Sequence, residues 1–278
     1  MQIHRQTFGS LVEWLAFLET PTTMPLQERV SHNVGDSKWY GTGSYDAAIR
    51  LAEDGWEEGL TRLHKLSVEL SDELIGLLHI PEVQFDVTGD ELDVGKFVHG
   101  EPEDFMTLVP AEIEQEPKLL RVGVNFGASC GVDAEAMTRK GAAATGLIDI
   151  LEQHGKRVEL DAITIASSSR QAVHTIIRIK DFNGPVQLAN LIFALAHPSA
   201  HRRLAFCSWE HLDEDVREAI GITPLGGYGR PRDLPMEERE QYDIYVPSLY
   251  GSWDRQAAVE YIIAELSKQG IYTEKEVP

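Results

Sequence analysis

The stretch RVGVNFGASCGVDAEAM, residues 121–137, decides how the chain is read. Val122, Val124 and Phe126 make a short apolar run of the kind a buried strand uses. Polar and glycine residues follow, and Asp133 then stands as a natural N-cap for a helix beginning AEAM. The stretch therefore predicts a strand, a polar loop and a helix. Inside the loop, Gly127-Ala128-Ser129-Cys130-Gly131 spells G-x-S-x-G, a spacing that can expose a nucleophilic serine on a strand-to-helix turn. Ser129 is either such a nucleophile or a loop residue, and the rest of the chain must decide between them.

Downstream the same alternation continues. AEAMTRKGAAATGLIDILEQHG puts Ala136, Ala143, Leu147, Ile150 and Leu151 on one helical face, and Gly155 ends it. KRVELDAITIAS and AVHTIIRIKDF read as strands whose link is too short for a helix, which predicts an antiparallel hairpin. PVQLANLIFALAHP is an apolar helix between Pro185 and Pro198. HRRLAFCSW reads as one more strand and EHLDEDVREAIG as a helix. YDIYV adds a strand, and a closing helix offers Val259, Ile262, Ile263 and Leu266. Strands alternating with helices imply an α/β fold with a mainly parallel, doubly wound sheet over residues 119–278.

Residues 1–118 read as a mostly helical N-terminal region with a short strand-containing segment. The opening MQIHRQTFGSLVEWLAFLET is read as a helix rather than a secretory leader, with Leu11, Trp14, Leu15 and Leu18 on one face. A Pro-, Gly- and Ser-rich loop follows. Ser44 then caps a helix carrying Asp46 in its first turn. Leu60, Leu63, Leu66, Leu70, Leu74 and Leu77 step by threes and fours towards Pro81, the stripe of a long amphipathic helix. EVQFDVTGDEL suggests a strand and turn; Asp86, Asp90, Glu91 and Asp93 lack the spacing of a calcium loop and read as a solvated turn. Gly100 and Pro102 mark further turns.

Composition narrows the function classes. The chain has 278 residues, 42% of them hydrophobic, and a net charge of -20. Such a surface repels a phosphate backbone, so direct nucleic-acid binding is not expected; an acidic mimic that occupies a DNA-binding protein remains open. No apolar stretch approaches the ~20 residues of a membrane helix, and a cytoplasmic setting is expected. Two cysteines, Cys130 and Cys207, supply neither a disulfide framework nor a four-cysteine zinc pattern. If their strand ends were neighbours, the pair could form a thiol site with His197 or His201.

GTGSYDAAIRLAEDGW resembles a stretch of uncharacterised tailed-bacteriophage proteins, which implies a phage origin and a host-cell cytoplasmic location. The order of elements over residues 119–265 resembles a von Willebrand factor A-like domain. That family has a first strand ending in D-x-S-x-S, a long helix and a hairpin-like strand pair. A Thr-bearing loop before a helix and a strand ending in Asp-Gly come later. Here Asn125, Gly127 and Ser129 stand in the first motif, Gly184, Pro185 and Val186 near the expected Thr, and Ser208 and Trp209 where Asp-Gly would be. With the acids gone, no magnesium site and no cofactor are expected.

The hydrolase reading is weaker than the loop reading. Gly131 and Val132 separate Ser129 from the helix, no oxyanion-donor loop precedes it, and the partners on offer (Asp181 or Asp213, with His197, His201 or His211) have no distinctive setting. His201, Arg202 and Arg203 in HPSAHRR form the one compact basic cluster. Arg230 and Arg232 form another in a Gly-rich loop that is not a P-loop. The resemblance implies a non-enzymatic interaction module that docks another phage or host protein. Its loops at the C-terminal edge of the sheet would be Asn125, Ser129, Asp181, Asn183, Ser208 and Trp209, with Trp209 as the anchor.

Overall fold

The structure is a computed structural model that describes residues 1–62, 82–86, 91–92, 105–109, 118–184, 187–223, 227–251 and 255–270. β5 (Leu119–Asn125) is buried from Val122 onwards, and its continuous apolar run suits a strand flanked on both sides. Parallel partners stand on either side of it, β6 (Arg157–Ser167) and β9 (Ile244–Val246). β6 pairs antiparallel with β7 (Gln171–Lys180), as the short link between them predicts. β7 pairs parallel with β1 (Gln2–Phe8), and the two-residue β8 (Arg230–Pro231) lies antiparallel on β6. The result is a mixed α/β fold with a mostly parallel six-stranded sheet in the order β1-β7-β6-β5-β9. A separate antiparallel sheet orders β2 (Glu82–Asp86), β4 (Phe105–Val109) and β3 (Glu91–Leu92) as β2-β4-β3.

The helices follow their local signals. α1 (Leu11–Leu18) buries Trp14, Leu15 and Leu18, and Ser10 caps it by accepting from the Glu13 amide. After the short α2 (Ser37–Tyr40), Ser44 caps α3 (Tyr45–Asp54) through the Ala47 amide. Asp133 caps α4 (Ala134–Gln153), its carboxylate accepting from the Ala136 amide at 2.6 Å. Gly155 follows α4 with φ +73°, a left-handed position that glycine adopts without strain. α5 (Leu188–Ala196) packs on α4, and the closing helix α9 (Arg255–Lys268) buries Ile262 and Leu266 against α4 as well. The side chain of Val259 lies outside the described residues.

α4 and α5 approach closely at Gly141, where an added Cβ would lie 2.3 Å from the Ala196 Cα. Backbone cannot move aside as a flexible side chain can. Gly141→Ala is expected to force the two helices apart and cost about 1–3 kcal/mol despite alanine's better helix propensity; urea unfolding at constant m-value checks this.

Two segments differ from expectation. Residues 2–8 form β1 rather than the start of a helix: Ile3, Arg5 and Thr7 alternate with Gln2, His4 and Gln6, and the run is short enough to be masked by the helix behind it. HRRLAFCSW is helical, not a strand. Ala200–Ala205 form a π-helical stretch that continues into α6 (Phe206–Glu210). The segment contains no β-branched residue, and alanine, leucine and arginine favour helix. α7 (Glu214–Ile220) follows, so EHLDEDVREAIG is divided between two helices, and a last short helix, α8 (Met236–Arg239), precedes β9.

A helix also begins at residue 57 and is described to residue 62, with Leu60 packed against the core. Leu63, Leu66, Leu70, Leu74 and Leu77 lie outside the described residues, as do Pro81, Asp90, Asp93, Gly100, Pro102, Pro185 and Val186. Asp86 and Glu91 are placed in β2 and β3. No helix among the described residues is long and apolar enough to cross a membrane.

Candidate binding site

The loop after β5 is fixed from both ends. Asn125 is fully buried; its Oδ1 accepts from the Gly127 amide at 3.0 Å, and its Nδ2 donates to the Arg232 carbonyl at 2.8 Å. The buried Lys140 ammonium donates to the Asn125 carbonyl. Burial pushes the Lys140 pKa down to about 7, against the pull of Asp233. Beyond Asn125 the backbone ties itself to the segment after β9: Leu249 N donates to Gly127 O at 2.9 Å, and Ser129 N donates to Leu249 O at 2.8 Å. The strand is thus prolonged to Ser129, and the helix starts only after Asp133. That is a braced loop, without the abrupt strand-to-helix turn of a nucleophile elbow.

Over this loop, at the C-terminal ends of β5, β6 and β9, lies a pocket of about 500 Å³. Ligands in open α/β sheets bind at such edges. Ser129 and Cys130 form one wall, Gly227 to Pro231 another, and Trp39 and Tyr250 are also part of the lining. Ile165, His201, Phe206 and Trp209 are among the buried members of the lining, with Ala128, Arg202 and Tyr228. Tyr250 is 57% exposed, and its hydroxyl donates to the Pro231 carbonyl at 2.8 Å, which holds the ring beside the mouth.

His201 is structural in its bonding. One ring nitrogen lies 3.3 Å from Thr164 Oγ1, and the ring also bonds to the Ala128 carbonyl. Burial and the neighbouring Arg202 push its pKa down to about 3, so it is neutral at physiological pH. No hydrogen bond joins Ser129 to a histidine among the described residues.

The two arginines beside His201 are buried, where a surface cluster was expected. The Arg202 guanidinium donates to the Trp39 carbonyl at 2.7 Å and to the Val132 carbonyl, and lies 4.3 Å from the Trp39 ring centroid. Arg203, 0% exposed, donates to the carbonyls of Ser31, Asn33 and Thr42 and to Thr42 Oγ1 at 2.8–3.0 Å, over the Tyr40 ring. Arg202 thus holds the Trp39 wall through its own backbone, and Arg203 holds the segment on either side of it at Ser31, Asn33 and Thr42. Arg230 and Arg232 are exposed, and Arg230 lines the pocket.

The other expected loop residues are dispersed. Because β7 runs antiparallel to β6, its end lies beside the start of β6, at the opposite edge from Ser129. There Asp181 accepts from Arg178 at 3.1 Å and Asn183 from Arg157 at 2.9 Å. Ser208 and Trp209 lie inside α6: Ser208 Oγ donates to Gln6 at 3.0 Å, and the indole of Trp209, 1% exposed, donates to Thr175 Oγ1 at 3.0 Å. Trp209 therefore meets the pocket from its buried side. Cys207 is buried in α6 and Cys130 is exposed on the loop, so the two neighbouring strand ends imagined for a thiol pair do not exist. Asp213 and His211 stand at the junction of α6 and α7, with both His211 nitrogens bonded to the carbonyls of Cys207 and Thr20. His197 closes α5 and stacks on Phe193; burial pushes its pKa down to about 4.

Sequence reasoning did not single out Trp39, Tyr228 or Tyr250. Their only signal was aromatic residues in glycine- or proline-rich loops, at Trp39-Tyr40, Gly227-Tyr228-Gly229 and Leu249-Tyr250-Gly251. No curated protein and no solved structure matches this chain. One family model does match, over residues 2–271, nearly the whole length described above. The chain belongs to that family, a domain of unknown function designated DUF7192.

Proposed function

We propose that this protein is a non-enzymatic docking module that takes a segment of another protein into the pocket at the C-terminal ends of β5, β6 and β9. The observation that carries this reading is the pocket itself: aromatic and apolar side chains line it, Arg230 and Tyr250 stand exposed in the lining, and its walls are braced. Concave, largely apolar sites with a few fixed polar groups are what binding surfaces use. The partner would present an apolar or aromatic side chain to Phe206 and Trp209. The net charge of -20 favours a partner that is basic elsewhere. The phage resemblance makes that partner another phage or host protein.

The von Willebrand A-like reading is part of the same proposal. The order β5, loop, α4 and antiparallel β6–β7 pair supports it. The helix at residues 200–210, in place of a strand, is its main departure and accounts for the burial of Ser208 and Trp209.

Hydrolysis by Ser129 is less well supported, because among the described residues the pocket's histidine, His201, is already engaged on Thr164 and Ala128. Two substitutions separate the readings. Ser129→Ala should leave partner binding within about threefold, whereas Ser129→Trp should fill the pocket and weaken it by roughly 100-fold, the loss of a central contact region. Labelling of Ser129 by a serine-directed probe, with activity lost in Ser129→Ala, would favour the hydrolase instead. A partner competed by duplex DNA and released by salt would indicate an acidic mimic of DNA.

A further inference from the structure

A cluster outside the pocket carries a different chemistry. His32, Cys207 and Glu210 each bring a potential ligand atom to within 4.8 Å of the others. Cys207 and Glu210 are one helical turn apart on α6, and His32 reaches them from the loop that Arg203 anchors. The Glu210 carboxylate is fully buried and accepts from Ser31 N at 3.0 Å, Ser31 Oγ at 2.5 Å and Tyr228 Oη at 2.5 Å. All three donors are neutral, and no lysine or arginine forms an ion pair with it among the described residues. A buried carboxylate without a paired cation is costly, and burial pushes the Glu210 pKa up, with its hydrogen bonds and the distant Arg29 charge opposing.

We propose that His32, Cys207 and Glu210 hold a zinc ion. Imidazole, thiolate and carboxylate together suit zinc, and three protein ligands leave one coordination position for water or another small ligand. Zinc bonds of these types place neighbouring ligand atoms about 3.3–3.8 Å apart, so the side chains need to draw in by only about 1 Å. Charges then balance: one thiolate and one carboxylate against the divalent ion, with His32 neutral. On binding, the Cys207 S–H bond breaks, a Zn–S bond forms and the proton leaves to solvent.

The surroundings fit that exchange. Tyr45 Oη donates towards Cys207 Sγ at 3.4 Å, a hydrogen bond that favours thiolate, and its ring stacks on His32 at 4.0 Å. Ser31 Oγ lies 2.7 Å from His32 Nδ1 and also bonds to Glu210, linking two of the ligands through one hydroxyl. Without the ion, burial and Glu210 push the Cys207 thiol up to about 12, and burial with Arg29 pushes His32 down to about 4. The site is unrelated to the lost magnesium motif at Asn125, Gly127 and Ser129.

The test is cobalt titration of the full-length, tag-free chain after chelator dialysis. One equivalent of Co(II) should give a thiolate-to-cobalt charge-transfer band and visible bands of tetrahedral strength, and zinc should bleach both. Cys207→Ser should abolish the charge-transfer band. His32→Gln, a half-buried position that tolerates change, should keep the fold by circular dichroism and weaken zinc binding by roughly 10- to 100-fold or more. Absence of the band in the wild type overturns the proposal. So does a band that survives Cys207→Ser, which would place the metal on Cys130, and so does undiminished affinity in His32→Gln.

Discussion

Arg203→Met should lower the unfolding free energy by about 3–5 kcal/mol, the usual cost of removing one member of a buried polar network. The guanidinium is completely enclosed, and its donors satisfy the carbonyls of Ser31, Asn33 and Thr42 together with the Thr42 hydroxyl. Methionine fills the volume but donates nothing, so the buried carbonyls of Ser31 and Thr42 lose their donor, while Thr42 Oγ1 keeps its bonds to Ser44 and Ser199. A charge without a carboxylate partner is tolerable here because several carbonyl dipoles and the face of Tyr40, 4.1 Å away, surround it. Arg203→Lys should fall in between, since one ammonium cannot span the positions a planar fork reaches. In a chain of this length the methionine variant should melt on the order of 10 °C lower. It should also become sensitive to trypsin at Lys38, which lies exposed on the segment that Arg203 anchors. A midpoint unchanged from wild type would mean that the segment is held by other contacts.

The second large effect concerns Lys140 and depends on pH. Its ammonium is enclosed, and its pKa falls from the ordinary 10.5 to about 7 in the folded state. The unfolded chain therefore binds a proton at this site between those values that the folded chain does not. By linkage, the destabilising contribution is full below pH 7 and fades as pH rises towards 10.5. Lys140→Met removes this dependence. The stability of wild type relative to Lys140→Met should thus improve by about 3 kcal/mol between pH 7 and pH 9.5. Urea unfolding of both proteins at the two pH values measures it. A difference that stays constant with pH would show that the folded ammonium titrates as in water.

What the sequence revealed follows from how local each signal is. The strand at 119–125, the Asp133 cap, the α4 helix and the β6–β7 hairpin rest on neighbouring residues, and they were legible. The failures needed information from elsewhere in the chain. An apolar run such as LAFCSW suits a buried strand or a buried helix equally, and tertiary packing chose helix. His201, Arg202 and Arg203 read as a surface cluster because charged residues are rarely enclosed. The enclosure of the two arginines depends on carbonyls from residues 31–42 and 132, and that of His201 on Thr164 and Ala128, which no pattern in HPSAHRR announces.

For the site, Ser129 was legible as a residue of the sheet's C-terminal edge, and it lines the pocket. Asp181 and Asn183 were assigned to that same edge although an antiparallel hairpin turns the end of its second strand to the other side. The missing element was direction, not composition. Trp39 and Tyr228 come to the pocket from opposite ends of the chain, so their meeting is a property of the fold alone.

The most direct test of docking at this edge is site-specific photo-crosslinking in the native or infected cell. One photoreactive residue is installed in place of Tyr250, beside the pocket, and another in place of Leu119, exposed at the opposite, N-terminal end of β5. A single discrete protein adduct from position 250, absent from position 119 and suppressed by Ser129→Trp, is the predicted result. No adduct at position 250, or equal adducts from both positions, would contradict docking through this pocket.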